Sequence, residues 1–309
     1  MSGNLGGADF AANPRLAVGP IATCLQDGVL TLLLGAGVST GFGLPNWFEL
    51  VMRLAGIQHG SPAYLEYLAR YEGNALPDQE LQELVDRVDD GSTTYLDKVR
   101  QALYAQMQPD LARQLSTSPL LLAVAALTTG TTRGRVDVVT TYNFDDVLEH
   151  YVQMLGHSVR IRTNESDLVG RADVTINHPH GFVPRDISRS HSTTQPILSA
   201  KAYREKRAQI DAGWSDYIAH VLTQKVALFV GLSGRDSSIL DLLHRISKRW
   251  KADGRRPGGY WILTPSDYDK YGPQIAEENV IPLRFEIDEI PMFIFDVCRR
   301  AVEGTAYRS

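Results

Sequence analysis

Cysteine is scarce in this chain, which has only Cys24 and Cys298 among its 309 residues. Both stand among apolar neighbours, as expected of small buried residues in a reducing compartment. No two cysteines have the spacing Cys-x-x-Cys, so a cysteine zinc site is excluded.

Long apolar runs are also missing, because no stretch of about 18 apolar residues occurs, as a membrane-spanning helix would require. The first thirteen residues lack both the basic start and the apolar stretch of a secretory signal. We therefore expect a cytoplasmic protein.

Positive charge is not in excess, since the net charge is −5. A protein that grips nucleic-acid phosphates directly carries a basic face. We therefore expect no direct binding of DNA or RNA.

Hydrophobic residues, at 43%, are abundant enough to bury a full core. Five short apolar runs stand at residues 29–34, 136–141, 227–231, 260–264 and 281–286, and a helical pattern follows each of them. Shorter strand candidates lie at 158–162 and 174–177. This alternation predicts an α/β fold with a Rossmann-like parallel sheet and helices on both faces.

About a hundred residues separate the first two long runs, more than one crossover helix needs. Apolar residues from Trp47 to Leu54 follow the spacing of an amphipathic helix. We expect a helical cap at about 45–118, inserted into a single domain at 29–309. A tail and a first helix at 1–28 would precede that domain.

The first long run ends in GAGVSTGFGLPNW, so Gly35, Ala36, Gly37 and Ser39 occupy a turn that leaves a buried strand toward a helix. Backbone N–H groups in such a turn can hold a phosphate. The third glycine, Gly41, comes one position later than the dinucleotide-binding pattern GxGxxG requires. A purely structural turn is the alternative interpretation.

A second run ends in TTYNFDDVLEHY, which places Asn143 and Asp145 where a strand meets a helix. Open α/β sheets bind ligands at this carboxyl edge. Helix capping is the alternative, because either side chain could accept a hydrogen bond from a first-turn amide.

Two histidines, His178 and His180, flank a proline in the segment INHPHGFVP. Histidine exchanges a proton readily near neutral pH, so it is a candidate base. A surface histidine that only forms hydrogen bonds is the alternative. No third ligand is convincingly spaced for a metal, so no metal is expected.

The run ALFVGLSGRDSSILDLL opens into a fourth turn, with Gly231, Ser233 and Asp236 before an amphipathic helix. Ser233 or Asp236 could simply cap that helix. Four polar turns on the same edge of the sheet are harder to explain by capping alone, and together they predict one ligand site.

In their order along the chain, these motifs resemble the sirtuin family. That family has GAGxS, a glycine–hydrophobic–proline element, Asn-x-Asp, a catalytic His-Gly and a GxS turn. Here they stand as GAGVS at 35–39, GLP at 43–45, NFD at 143–145, HG at 180–181 and GLS at 231–233. The resemblance spans about residues 29–286, and its order makes it more specific than any single motif.

The resemblance implies that NAD⁺ is the substrate and that Asn143 and His180 are catalytic, with His180 as the base. The first turn would surround the phosphates, Asn143 and Asp145 would contact the nicotinamide ribose, and Gly231 and Ser233 would line the adenine-ribose side. The NAD⁺-binding residues implied are Gly35, Ala36, Gly37, Ser39, Pro45, Asn143, Asp145, Gly231, Ser233 and Asp236.

Two departures argue against recognition of an acylated peptide. Protein-deacylating sirtuins carry a four-cysteine zinc module after the catalytic histidine, and this sequence has no cysteine between Cys24 and Cys298. They also place Asp-Phe-Arg after the proline, where this chain has Asn46, Trp47 and Phe48.

What remains is similar to the zinc-free bacterial branch that hydrolyses NAD⁺ in anti-phage defence. The resemblance implies an NAD⁺ glycohydrolase that releases nicotinamide and ADP-ribose. Its depletion of cellular NAD⁺ would make the defence one of abortive infection. It also implies a homo-oligomer or control by a partner such as an ATPase or an Argonaute-like protein. A deacylase or ADP-ribosyltransferase, and a non-catalytic sensor of NAD⁺ or ADP-ribose, are the alternatives.

Overall fold

Seven parallel strands form a central sheet in the part of the chain that the computed structural model describes. They are β1 (Leu30–Leu34), β2 (Val138–Thr141), β3 (Val159–Arg162), β4 (Val174–Asn177), β5 (Val226–Val230), β6 (Gly259–Leu263) and β7 (Val280–Arg284). Their order across the sheet is β3-β4-β2-β1-β5-β6-β7. The predicted parallel α/β fold is confirmed, and all seven predicted runs form strands whose ends shift by at most two residues.

The structure describes residues 7–73, 75–107, 118–130, 134–165, 167, 170–186, 194, 196–202, 204, 213–252 and 257–305. Helices in these ranges are α1 (Gly7–Ala12), α2 (Val18–Gln26), α3 (Trp47–Leu54), α4 (Pro62–Glu72), α5 (Asp78–Asp86), α6 (Thr93–Tyr104), α7 (Pro119–Thr128), α8 (Val147–Met154), α9 (Ser215–Gln224), α10 (Ser237–Ala252), α11 (Pro265–Glu277) and α12 (Ile290–Thr305). None of these described helices combines the length and the apolar character needed to cross a membrane.

Apolar side chains cover both faces of the sheet. Leu32 belongs to one buried cluster and Leu33 to the other, because successive residues of a strand point to opposite faces. The cluster of Leu32 includes residues of α2, α7 and α12, and the cluster of Leu33 includes residues of α9 and α10. Helices therefore lie on both faces, as predicted.

Five of the described α-helices, α3 to α7, lie between β1 and β2, and α3 to α6 fall within the insertion that the sequence predicts at about 45–118. The start of α3 is fixed by Asn46, whose side chain accepts a hydrogen bond from the Glu49 amide at 2.9 Å. Ser61 and Ser92 cap α4 and α6 in the same way. Residues 108–117 of the predicted cap lie outside the described residues.

The strand order places a change of direction at β1. The chain proceeds from β1 to β2 and its neighbours on one side of the sheet, and then returns to β5 on the other side of β1. Loops that leave the adjacent strands β1 and β5 therefore run to opposite sides, which opens a crevice at the carboxyl ends of the central strands.

Candidate active site

The carboxyl ends of the central strands open into a cavity of about 810 Å³. Loops after β1, β2 and β5 contribute to its lining, together with α3, α4 and α5 of the insertion. Every catalytic or NAD⁺-binding residue that the family resemblance implies lines this cavity, whereas His178, the other candidate base, does not. Its volume lies within the range of roughly 300–1,000 Å³ that is typical of small-molecule sites.

The glycines of the first turn are required by the packing of two loops against each other. A Cβ atom on Gly35 would lie 2.5 Å from the Gly231 carbonyl oxygen, and one on Gly37 would lie 2.8 Å from the Gly231 Cα. Gly231 has a φ of +72°, which favours glycine. The amides of Gly35 and Gly37 donate to the carbonyl oxygens of Val230 and Gly231, both at 3.0 Å. Loop packing therefore explains these glycines even without a ligand.

The first turn continues as two short 3-10 helices, Ala36–Val38 and Thr40–Phe42. Gly43, at a φ of +79°, ends the second of them. The amides of Val38 and Ser39 donate to backbone oxygens within the turn, at 3.1 and 2.9 Å. Fewer N–H groups therefore remain for a phosphate than the glycine pattern predicts.

The side chain of Asn143 connects the end of β2 to the first turn. Its Nδ2 donates to the Gly35 carbonyl oxygen at 3.2 Å and to Ser39 Oγ at 3.1 Å. Its Oδ1 has no hydrogen-bond partner among the described residues, and the side chain lines the cavity. Helix capping therefore does not explain Asn143, and its Oδ1 is available to a ligand.

Asp145 is a buried carboxyl group beside Asn143. Its Oδ1 accepts from the amide of Val147, the first residue of α8, at 3.1 Å, and it also accepts from Ser39 Oγ at 3.3 Å. Burial, followed by the nearby carboxylate of Glu149, raises the pKa of Asp145 to about 7. Asp145 therefore changes its charge near neutral pH.

His180 lies on the wall of the cavity, where its ring meets the edge of Tyr142 with 5.0 Å between centroids. Within the described residues, no hydrogen bond reaches the His180 ring. Burial lowers the pKa of His180, and the carboxylate of Asp236 opposes this shift only in part. A neutral imidazole at pH 7 can accept a proton, as the sequence predicts for a base.

His178 is fully buried behind the cavity and does not line it. Its Nδ1 lies 3.0 Å from the Asn143 carbonyl oxygen, and its Nε2 lies 2.7 Å from Glu149 Oε1. Glu149 is missed by sequence reasoning, because an acidic residue in the first turn of a helix is ordinarily exposed and favourable there. No local pattern shows that this helix turns Glu149 inward.

Arg235 connects the fourth turn to the helical insertion, and sequence reasoning misses it as well. Its guanidinium donates to the carbonyl oxygens of Tyr71, at 3.1 Å, and Leu76, and it lies 4.1 Å from the centre of the Tyr71 ring. Its Nε is 3.4 Å from Asp78 Oδ1. Arg235 thus holds α4 and α5 against the cavity.

Ser233 and Asp236 both line the cavity. Ser233 is exposed, and its Oγ accepts from the Arg235 amide at 3.3 Å. That contact is a local turn and leaves Ser233 beside the cavity opening.

In the described part of the chain, no group of three or more histidine, cysteine, aspartate or glutamate side chains is arranged to hold a metal ion.

Residues 137–283 match the family model of the SIR2-like domain. The matched span runs from β2 to β7 and contains the NFD, HG and GLS motifs, whereas GAGVS precedes it. The match supports a sirtuin-like family and is consistent with NAD-dependent activity. A search of curated proteins found no match to the chain.

Proposed function

We propose that this chain is an NAD⁺ glycohydrolase, which cleaves the bond between nicotinamide and ribose to give nicotinamide and ADP-ribose. The observation that carries the proposal is the pairing of Asn143 and His180 on one cavity. Asn143 presents its side-chain oxygen to the cavity, because its side-chain nitrogen already donates two hydrogen bonds. His180 presents a ring that forms no hydrogen bond with the described residues. The SIR2-like match over β2 to β7 supports NAD⁺ as the substrate.

The chemistry suits such a site because the nicotinamide of NAD⁺ is a cationic leaving group. When the C–N bond breaks, its electron pair goes to nicotinamide, which leaves neutral, and the ribose carbon becomes oxocarbenium-like. A water oxygen then bonds to that carbon. Its proton passes to His180, a transfer that contributes about 10²–10⁴-fold in comparable enzymes.

Asn143 would orient the ribose or the attacking water through Oδ1, since its Nδ2 is held by Gly35 and Ser39. Helices α3 to α5 would exclude bulk water and strengthen these polar contacts. The remaining predicted NAD⁺-binding residues surround the same cavity and are proposed to hold the phosphates and the adenine ribose.

The stoichiometry of products tests this reaction against its two rivals. Purified protein is incubated with NAD⁺, and nicotinamide and free ADP-ribose are measured by chromatography. We expect the two in equal amounts. Nicotinamide in excess of free ADP-ribose, with ADP-ribose bound to an acceptor, would instead show transfer. Tight binding of NAD⁺ without nicotinamide release would show a sensor.

We also propose a biological setting, which rests on the resemblance to the zinc-free bacterial branch. In that setting a cytoplasmic homo-oligomer depletes NAD⁺ during phage infection and is controlled by a partner such as an ATPase or an Argonaute-like protein. The NAD⁺ concentration should fall in infected cells that produce the wild-type chain. It should stay constant in infected cells that produce the His180→Ala variant.

A further inference from the structure

The buried ring of His178 lies between helix α8 and the backbone of Asn143. His178 follows β4 directly and packs on Phe182, with 4.6 Å between ring centroids. Nε2 faces Glu149 Oε1 at 2.7 Å, and Nδ1 faces the Asn143 carbonyl oxygen at 3.0 Å. The side chains of His178 and Glu149 are almost completely buried, at 0% and 3% exposure.

Burying a histidine and a carboxylate is costly unless each satisfies the other. Burial by itself lowers the pKa of His178, but the charge and hydrogen bond of Glu149, with the Asn143 carbonyl and Asp145, together outweigh it and the pKa is raised. Nε2 and Nδ1 each face an acceptor oxygen, so the protonated ring donates from Nε2 to Glu149 and from Nδ1 to Asn143. Burial lowers the pKa of His180, two residues away, so the pKa values of the two histidines move in opposite directions.

The contacts around Asn143 leave one of its polar atoms for the cavity. Thr141 Oγ1 accepts from its amide at 3.2 Å, and His178 donates to its carbonyl oxygen. Gly35 and Ser39 accept from its Nδ2. With these atoms held, the direction of Oδ1 is fixed by the fold before any ligand arrives.

We propose that His178 is a positioning residue, which Glu149 holds in place and which fixes the peptide of Asn143 so that Oδ1 faces the cavity. His178 does not itself reach the cavity. The proposal deepens the proposed function and rests on it for its kinetic consequence, but its structural part can be measured without turnover.

Two amide substitutions separate the two hydrogen bonds of His178. In His178→Asn the amide nitrogen takes the place of Nδ1 and can still donate to Asn143. In His178→Gln it takes the place of Nε2 and can still donate to Glu149. We expect His178→Asn to retain kcat within about threefold and His178→Gln to lose about 10–100-fold in kcat, because small misplacements of a catalytic group cost about that much.

A merely structural role would lower both kcat values in parallel with the loss of thermal stability, which is measured alongside. That parallel loss, or full activity in His178→Gln, would overturn the proposal. We expect KM for NAD⁺ to stay within about threefold in both variants, since the other residues that line the cavity are unchanged.

A spectroscopic measurement distinguishes failure of this proposal from failure of the proposed function. Asn143–Phe144 is the only Asn–Phe pair in the sequence. Labelling asparagine carbonyls with ¹³C and phenylalanine amides with ¹⁵N therefore gives one cross-peak that reports the Asn143 carbonyl. We expect it to move upfield in His178→Gln and to stay in place in His178→Asn, whether or not NAD⁺ is cleaved. An unmoved cross-peak in His178→Gln would overturn the proposal even if nicotinamide is released.

Discussion

Asp145 is one of three acidic residues, with Asp146 and Glu149, that lie buried around the start of α8. Asp146 is well satisfied, because it accepts from the Tyr104 hydroxyl at 3.0 Å and from the Arg185 amide at 2.9 Å. Asp145 accepts two longer hydrogen bonds and faces the cavity. Its carboxylate is therefore held at a cost to stability.

Replacing Asp145 by asparagine should stabilise the protein above neutral pH. The folded pKa of about 7 exceeds the unfolded value of about 3.9, so this carboxyl costs nothing below pH 4 and becomes destabilising as the pH rises to 7. Asparagine keeps an acceptor oxygen without the charge. We expect the free energy of unfolding in urea to rise by about 1–4 kcal/mol at pH 8 and to be unchanged near pH 4.

The matched control is Asp146→Asn, which weakens contacts to Tyr104, Arg185 and His150 and should destabilise. If Asp145→Asn also destabilised at pH 8, Asp145 would not be held at a cost.

The pH dependence of turnover should report His180. Because its pKa lies below 6.5 and the neutral form is the base, kcat/KM should rise with pH through an apparent pKa below 6.5 and then level off. Asp236 raises the pKa of His180, so Asp236→Asn should move this limb to lower pH. A limb centred above pH 7, or one that Asp236→Asn leaves in place, would contradict the role of His180 as base.

Single residues show what the sequence could and could not predict about the site. Asn143 and His180 were predicted from motifs, and both line the cavity. Capping was an equal alternative for Asp145, and one of its two hydrogen bonds is indeed to the first amide of α8, although the N-cap position itself is Asp146. Glu149 could not be predicted, since its inward position depends on a contact with His178, 29 positions away.

At the scale of elements, strands were predicted more accurately than turns. A buried strand such as β1 has all five residues buried, and this gives a continuous apolar run that is visible in the sequence. The turn after β1 depends on backbone packing between Gly35 and Gly231, which are far apart along the chain. That packing was invisible in the local pattern.

The attachment of α4 and α5 depends on Arg235, whose side chain is only 15% exposed. Lys270 adds a hydrogen bond from its Nζ to the Glu72 carbonyl oxygen at 3.0 Å. Both cations therefore meet the carboxyl end of α4, where cations are favourable.

Arg235→Gln should loosen this attachment. Hydrogen bonds from charged groups contribute roughly 1.5–3 kcal/mol, so amide hydrogen exchange in residues 62–86 should accelerate about 10–100-fold. We also expect KM for NAD⁺ to rise. Lys270→Ala removes an exposed contact and serves as the control, with an expected change below threefold. Unchanged exchange in Arg235→Gln would show that the helices are held by other contacts.

The whole molecule assembles its site from distant segments, and this explains the limit of the sequence predictions. Asn143 and Gly35, which share a hydrogen bond, are 108 positions apart. Motif order predicts which segments meet at the sheet edge, because carboxyl ends of parallel strands share that edge. It does not predict which atoms remain unbound. The family match begins at residue 137, so the GAGVS turn and the helical insertion lie outside it.

A second cavity provides a control for the location of the reaction. It has a volume of about 510 Å³ and is lined by α3 and α6, including Gln101 and Arg53. Helix α3 lines both cavities, with Trp47 and Leu50 on the first and Met52 and Arg53 on the second. A substitution at Gln101 therefore changes a cavity of the same insertion without touching the proposed site.

The most direct measurement is the rate of nicotinamide release from NAD⁺ by the wild type and by Asn143→Ala, His180→Ala and Gln101→Ala, each checked for intact folding. We expect wild type and Gln101→Ala to release nicotinamide at equal rates, and each of the other two variants to lose at least about 100-fold. Release that persists in Asn143→Ala and His180→Ala would place the reaction elsewhere, and would contradict hydrolysis at the sheet-edge cavity.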